Sequence, residues 1–138
     1  MHTTEKNKAI VIRFNKEVIE QGNMKSFNEL VANDLVNHSA PVGGPNGPES
    51  MIYFLFQILR VGFSDLQVEI LDQIAEGDRV TTRKKIYATH TGDFMGIPAS
   101  NKKVEINVID IIRLHQGKYV EHWGLSSLAE VIAQLSIS

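Results

Sequence analysis

The chain contains no cysteine among its 138 residues. This absence excludes disulfide bonds, thiolate metal sites and cysteine nucleophiles. A large excess of one charge sign is also absent. The chain has 14 lysines and arginines and 16 aspartates and glutamates, which gives a formal net charge of −2. A chain with so little excess positive charge lacks the basic surface typical of nucleic-acid binding. We therefore expect no nucleic-acid partner.

Long apolar runs are absent as well. No run approaches the roughly 20 residues that span a bilayer, and the first ten residues, MHTTEKNKAI, lack the apolar segment of a signal peptide. We therefore expect no membrane partner and a cytoplasmic location. Three of the four prolines fall in the stretch 40–48, APVGGPNGP, whose length suits a loop inside a domain. We expect a single domain over residues 1–138.

The first half of the chain has helical periodicity. Apolar residues recur at helical spacing over residues 4–21, 24–32 and 49–61. Residues 35–38 look extended. The third helix is apolar nearly all round, which predicts a deeply buried helix.

The second half changes to a period of two, which predicts strands. These strands begin at residue 66 and continue at 80–91, 103–114 and 118–125, with a short helix at 127–135. Sequential strands joined by turns favour an antiparallel meander. We expect an α+β fold in which a curved antiparallel sheet forms a cone-shaped roll around a long helix. The N-terminal helices would then pack over a pocket.

Two titratable residues share an apolar face of the last predicted hairpin. Asp110 is the only polar residue in the alternating set Val104, Ile106, Val108, Asp110, Ile112 and Leu114. On the return strand, Val120, His122 and Gly124 are expected to face the same side. A charge on a buried face is costly unless it is paired, hydrated or functional, which favours a cavity with chemistry in it.

The alternative for Asp110 is a core carboxylate satisfied by a neighbouring group, and for His122 a half-exposed or interface histidine. No lysine or arginine lies at an adjacent same-face position of the hairpin. We therefore expect Asp110 to be unpaired, the situation in which burial raises a carboxyl pKa. The basic run at 83–85 is expected on an exposed strand edge.

Several segments, taken together and in order, resemble the SnoaL-like polyketide cyclases over nearly the whole chain. They are Phe63-Ser64-Asp65-Leu66, the stretch from Ile74 to Val80, Thr89 to Pro98, Ile109 to Arg113, Gly117 to Trp123, and Gln134-Leu135. The resemblance implies the cone-shaped α+β fold shared with nuclear transport factor 2 and ketosteroid isomerase. It also implies a homodimer paired through the sheets and a small hydrophobic molecule as the ligand.

The family's characterised cyclases carry out an intramolecular aldol condensation without a metal or organic cofactor, so the resemblance implies no cofactor here. That chemistry needs a base, a donor for the enolate oxygen and an apolar pocket. The chain departs from the family at one place. The expected acid/base aspartate after the last-strand tryptophan aligns with Gly124, or with Ser126 or Ser127 in a shifted register, and the family's histidine aligns with Asp110.

Further residues are candidates for substrate contacts. His38 falls where the family has its pocket mouth, and Tyr53, on the helix expected to be buried, is the credible enolate donor. Phe56 and Phe94 are candidates for pocket wall, and Gly124 would enlarge the pocket. His90 is a candidate at a strand end, although a structural histidine is the more natural interpretation. No two histidines have close metal-ligand spacing, so we expect no metal site.

These features favour a cofactor-independent enzyme of the cyclase or isomerase type, such as an aldol-type polyketide cyclase. Asp110 would be its catalytic acid or base and His122 its partner. The missing aspartate at position 124 keeps a second hypothesis open, a non-catalytic small-molecule binding or sensing domain. A third is a dimeric structural module with a vestigial cavity.

Overall fold

Four helices surround the sheet in the structure, a computed structural model that describes residues 3–137. Helix α1 is Thr3–Phe14 and continues with a wider π-helical stretch, Asn15–Glu20, and α2 is Met24–Leu30. Helix α3 is Pro48–Ile52 and continues through the π-helical Tyr53–Leu59 to the turn Arg60–Gly62. Helix α4 is Leu128–Leu135. These bounds agree with the periodicity of the sequence to within two residues, because each helix buries an apolar stripe.

The sheet has five strands in the order β1-β5-β4-β3-β2. They are β1, Val31–Asn37; β2, Phe63–Glu76; β3, Arg79–His90; β4, Lys103–His115; and β5, Lys118–Ser126. Strands β2 to β5 form the predicted antiparallel meander. The expectation of an entirely antiparallel sheet is wrong, because β1 pairs with β5 in parallel. The α+β class is confirmed, with a mixed sheet that is curled but not closed.

The core lies between the inner face of the sheet and the helices. Helix α1 contributes Val11 and Phe14, and the inner sheet face contributes alternating residues such as Val80 and Ile112, each no more than 3% exposed. Phe14 stacks on Tyr119 of β5, with ring centroids 4.5 Å apart. The inner face is therefore a packed surface into which any polar side chain must bring its own partners.

Helix α3 corrects one prediction. Leu55 and Leu59 are buried, but Tyr53 is 57% exposed and Phe54 is 38% exposed. The expectation of a deeply buried helix is wrong, because its apolar residues encircle the axis and only one side of the helix meets the core. No helix within residues 3–137 is both long and apolar enough to cross a membrane.

A bulge in β5 sets which side chains face inward. Asp110 lies opposite Gly124 and Ile112 opposite His122, but Leu114 lies opposite Tyr119 because the register shifts between them. The shift makes Val120 the extra residue and turns Tyr119 into the core, where it is 1% exposed. The expected alternation therefore holds for His122 and Gly124 and fails at Val120.

Candidate functional site

Asp110 lies in the middle of β4 and forms a buried ion pair with β3. Its Oδ2 is 3.1 Å from Lys84 Nζ, and the two side chains are 8% and 4% exposed. Thr82 is the direct neighbour of Asp110 across the β3–β4 ladder, so Lys84 is the next inward residue along β3. The expectation that Asp110 has no basic partner is wrong, since the partner comes from the strand on the other side of the hairpin.

Lys84 also corrects the interpretation of the basic run. β3 lies between β4 and β2, so it is a central strand and not an exposed edge. Arg83 points to the outer face, whereas Lys84 points inward and is 4% exposed. In the described part of the chain it is the only buried lysine or arginine. A lysine in this position requires partners for its ammonium group.

Asn15 supplies one of these partners from the first π-helical turn of α1. Its Oδ1 accepts a hydrogen bond from Lys84 Nζ at 2.6 Å, and its Nδ2 donates to the Val11 carbonyl at 2.8 Å. The second bond fixes which end of the amide faces Lys84. Asn15 is 2% exposed, so α1 is tied to the sheet by a buried polar chain from Val11 to Asp110.

The second oxygen of Asp110 is unpaired among residues 3–137. Oδ1 is buried and makes no hydrogen bond within the described chain. Buried carboxylate oxygens are nearly always satisfied, so an orphaned one indicates a strained or functional position. The inner face is less tightly covered beside it, because Val108, His122 and Gly124 are only half-buried. The free oxygen therefore belongs to a residue whose same-face neighbours are only half-buried.

His122 is held in one tautomer by Asn37 of β1. His122 Nδ1 lies 2.8 Å from Asn37 Oδ1, while Asn37 Nδ2 donates to Ser50 Oγ at 3.1 Å. Because Asn37 presents its oxygen, Nδ1 of His122 must carry the proton and Nε2 is an acceptor. Burial lowers the pKa of His122, against the opposing effect of the Asp110 charge and with smaller lowering contributions from Lys84 and His38. The imidazole is therefore neutral.

Gly124 allows this imidazole to lie close to Asp110. A Cβ at Gly124 would be 3.2 Å from His122 Cε1 and Nε2 and 3.6 Å from Asp110 Cβ. The prediction that Gly124 enlarges a pocket is corrected, because the ring of His122 takes up the space. Asp110 and His122 face each other across Gly124. Ser39 fixes this point of the strand, since its Oγ accepts from Gly124 N at 2.8 Å.

Tyr119 adds a neutral phenol to the inner face. Burial, and to a smaller extent the negative charge of Asp110, raise the pKa of Tyr119 well above its usual range. Its hydroxyl therefore keeps its proton at neutral pH. The sequence pointed to Tyr53 as the phenolic donor, but the exposed position of Tyr53 on α3 separates it from the buried pair.

His38 lies on the other face of β5. Its ring stacks on Trp123 with centroids 4.7 Å apart, and its Nε2 is 2.8 Å from Glu121 Oε2. The guanidinium of Arg79 lies 5.2 Å from the centre of the same Trp123 ring. His38 is thus part of an outer-face cluster and does not face Asp110.

The remaining candidates lie away from Asp110. His90 is fully buried at the far end of β3, where Ser100 N donates to its Nδ1 at 3.3 Å and its Nε2 is 3.3 Å from the Ile97 carbonyl. Phe94 packs on Phe63 with centroids 4.8 Å apart, and both anchor the loop after β3. Phe56 is half-buried against Phe27, with centroids 6.4 Å apart. His90 is therefore a buried, hydrogen-bonded residue at the end of β3.

Two surface clefts lie in the described part of the chain. One, of about 320 Å³, is lined by the start of α1 and the turns after β2 and β4. The other, of about 430 Å³, is lined by Lys84 and Val108 of the site, by Leu71, Arg83, Ile109 and Leu125, and by the start of α4. Neither is lined by Asp110 or His122. Residues 3–137 contain no cluster of three or more histidines and carboxylates that would hold a metal ion.

Sequence reasoning missed Lys84, Asn15, Asn37 and Tyr119. Lys84 had a signal, since it shares the alternating inward set of β3 with Val80 and Ile86. Asn15 had one too, because it is four residues after the buried Val11 on α1. The tautomer lock by Asn37 depends on the parallel pairing of β1 with β5, and Tyr119 depends on a bulge. Neither has a signature in this one sequence.

The profile of the SnoaL-like polyketide cyclase family matches residues 9–135. AclR from Streptomyces galilaeus is 26% identical, with 96% of each chain covered and a TM-score of 0.84. IdmH from Streptomyces antibioticus is 27% identical over 95% of this chain and 99% of that one, with a TM-score of 0.79.

TsrD from Streptomyces laurentii is 20% identical, with 96% of each chain covered and a TM-score of 0.83, a likeness that shows the fold alone. A comparison with curated proteins gives no match. The family profile spans nearly the whole chain, and the structures agree with it. This protein belongs to the SnoaL-like polyketide cyclase family.

Proposed function

We propose that the protein is a cofactor-independent enzyme of the cyclase or isomerase type that acts on a hydrophobic carbonyl compound, with Asp110 as its base. The observation that carries the proposal is the orphaned Oδ1 of Asp110, buried beside a neutral imidazole. Two similar structures differ in the activity proposed for them: IdmH is described as a polyketide cyclase and AclR as a hydroxylase. The fold therefore does not determine the reaction, and the proposal depends on the site.

The first step is proton abstraction next to a carbonyl group. Asp110 Oδ1 takes the α-hydrogen, the C–H electron pair forms a carbon–carbon double bond, and the carbonyl π electrons move to oxygen as an enolate. Where the enolate is conjugated with a further double bond, Asp110 returns the proton to the far carbon of the conjugated system, the carbonyl re-forms and the double bond shifts, which gives isomerisation. Alternatively, the enolate carbon attacks a second carbonyl of the same molecule, and the resulting alkoxide takes the proton from Asp110.

His122 supports this step as a hydrogen-bond acceptor beside Asp110. Its Nδ1 proton is committed to Asn37, so only Nε2 is available towards the site. A neutral histidine accepts a hydrogen bond from the protonated Asp110 or from a substrate hydroxyl without adding a positive charge to the interior. Its lowered pKa keeps this acceptor available at neutral pH.

A binding or sensing domain is the second candidate function. Two points favour it: the family resemblance places Gly124 where the family's cyclases have their acid, and the two surface clefts are not lined by Asp110. A binder would use Asp110 Oδ1 only as a hydrogen-bond acceptor. The two functions differ in whether the α-hydrogen of a bound ketone exchanges.

The proposal includes a second copy of the chain as partner. Ile109 and Leu125 lie opposite each other on the outer face of the sheet and are 50% and 82% exposed. Exposed apolar neighbours of this kind mark interfaces, and a sheet-to-sheet homodimer would cover them. This partner, like the small hydrophobic ligand, is a proposal.

Exchange of α-hydrogens for deuterium tests the catalytic proposal. Apolar ketones such as 2-tetralone are incubated in D₂O with the wild-type protein, the Asp110→Asn variant or the Asp72→Asn variant, and deuterium is measured by mass spectrometry. Asp72 is the matched control, since it is paired with Arg83 and is 58% exposed. Loss of exchange in Asp110→Asn alone supports catalysis, whereas ketone binding without any exchange supports the binding domain.

A further inference from the structure

We propose that Lys84 is a further catalytic residue, whose ammonium group holds the substrate's carbonyl oxygen and the enolate formed on it. The substrate class that follows is a neutral ketone or ester whose α-hydrogen faces Asp110. This inference rests on the proposed function and assigns the electrophilic half of the same site. Lys84 would therefore stabilise the enolate in a site that has glycine, and no acid, at position 124.

The hydrogen bonds of Lys84 leave one donor over. An ammonium group has three N–H bonds. Asn15 Oδ1 at 2.6 Å accepts one, and Asp110 Oδ2 lies within ion-pair distance at 3.1 Å. At least one of the three has no acceptor within residues 3–137. The site thus pairs one free donor on Lys84 with one free acceptor, Asp110 Oδ1, as enolisation requires.

Asn15 holds this donor in place. Its amide cannot turn over without losing the bond from Nδ2 to the Val11 carbonyl, 2.8 Å long. A lysine side chain has several rotatable bonds, so it ordinarily loses conformational entropy when it binds a ligand. Here that freedom is already lost in the folded protein, so Lys84 is pre-organised for the oxygen.

The charge balance of the step favours Lys84 in this role. Before proton transfer, the interior holds one ammonium and one carboxylate. Afterwards it holds the same ammonium, an enolate and a neutral Asp110, so the number of buried charges does not change. Without Lys84, the enolate would be an isolated anion in a low-dielectric interior, which is strongly unfavourable.

The same balance defines the substrate. A ligand with a carboxylate or phosphate next to its carbonyl would bring a second anion against Asp110, and Lys84 is the only buried cation among residues 3–137. A neutral carbonyl compound avoids this repulsion. The half-buried Val108, two residues before Asp110 on the same face, gives the neighbouring surface an apolar character. The site therefore selects neutral, apolar carbonyl compounds.

Binding of 4-nitrophenol tests the role of Lys84, because its phenolate resembles an enolate and absorbs at a longer wavelength than the phenol. The Asp110→Asn variant mimics the neutral acid formed in the step. This variant is expected to bind the phenolate form in preference to the phenol. Its affinity for the phenolate should be roughly tenfold to a hundredfold higher than that of Asp110→Asn/Lys84→Met, the difference expected for a hydrogen bond to a charged group. Asp110→Asn/Lys85→Met, which changes the neighbouring outward lysine, is the control and should match Asp110→Asn.

Two results would overturn the assignment of Lys84. One is 4-nitrophenol that fails to bind Asp110→Asn or stays neutral when bound. The other is equal phenolate affinity with and without Lys84. A second measurement leaves position 84 unchanged. In Asp110→Asn, the ¹⁵N resonance of Lys84 Nζ must shift when 4-nitrophenol is added. Failure of the proposed function itself would show differently, as ketone exchange that persists in Asp110→Asn.

Discussion

Lys84 and Asp110 form an ion pair inside the curled sheet, whereas the preceding residue, Arg83, forms one with Asp72 on its outer surface. The inner pair has an Nζ–Oδ2 distance of 3.1 Å and side chains only 4% and 8% exposed. The outer pair has side chains 53% and 58% exposed. Because the two basic residues are consecutive on β3, the comparison isolates the effect of burial on an ion pair.

Removing one partner of the inner pair should be far more destabilising than removing one partner of the outer pair. Lys84→Met leaves an uncompensated buried carboxylate and is expected to lower the free energy of unfolding by about 3–5 kcal/mol. Arg83→Met is expected to lower it by less than about 1 kcal/mol. Urea unfolding of the two variants measures both values.

The double variant Lys84→Met/Asp110→Asn provides the internal check. Since it leaves no buried charge, it should be more stable than Lys84→Met alone, so the two single losses will not add. Equal losses for Lys84→Met and Arg83→Met, or strict additivity in the cycle, would show that the inner pair is not a coupled buried unit.

Stability should fall on acidification because of His122. Its folded-state pKa lies below the usual value near 6.5, chiefly because it is buried. As the pH falls through that usual value, the unfolded chain binds a proton that the folded protein does not, so unfolding becomes easier. The groups that set this pKa are the buried environment, Asp110, Lys84 and His38.

The variant His122→Gln should lose this part of the pH dependence while keeping a donor for Asn37. The measurement is the free energy of unfolding at pH 7 and pH 5. His115→Gln, at an exposed position at the end of β4, serves as the control and should behave like the wild type. An unchanged pH dependence in His122→Gln would contradict a buried neutral imidazole.

Gly124→Ala should disturb the site through His122. The added Cβ would lie 3.2 Å from the ring, so the imidazole must move away from Asp110. We expect a loss of about 1–3 kcal/mol in stability, as for other overpacked sites, and a drop in ketone exchange of roughly tenfold from misplacement. Gly44→Ala, where the nearest atom would be 3.6 Å away, should leave exchange unchanged. Wild-type exchange in Gly124→Ala would remove His122 from the mechanism.

The proposed homodimer makes a prediction about the outer face. Leu125→Asp places a charge beside Ile109, on a surface that a second copy would cover. The variant should be monomeric by light scattering at a concentration where the wild type is a dimer, and it should remain folded. A wild type that is monomeric, or a variant that stays dimeric, would rule out this interface.

The fold was largely accessible from the sequence because its elements have clear periods. Strands β2 to β5 and the four helices follow from alternation and helical spacing. Strand β1 was less visible, since Asn33 and Asp34 interrupt its apolar residues and its partner, β5, lies more than 80 residues further along the chain. A parallel pairing over that separation leaves no local signal.

The site was only half accessible. Alternation correctly placed Asp110 and His122 on one face, because the hairpin register is local. The basic residues at 83–85 looked like a solvated surface, and only the strand order shows that β3 is central and that Lys84 points inward. The partners that give Asp110 and His122 their chemistry come from α1, β1 and β3, so they depend on tertiary structure.

The most direct test of the catalytic claim is the rate of α-deuterium incorporation into 2-tetralone with wild-type protein and with Asp110→Asn. A base within the site contributes roughly a hundredfold or more, so Asp110→Asn, compared with the wild type at equal concentrations of folded protein, should lose at least that factor. Exchange in Asp110→Asn equal to that of the wild type would contradict the assignment of Asp110 as the base.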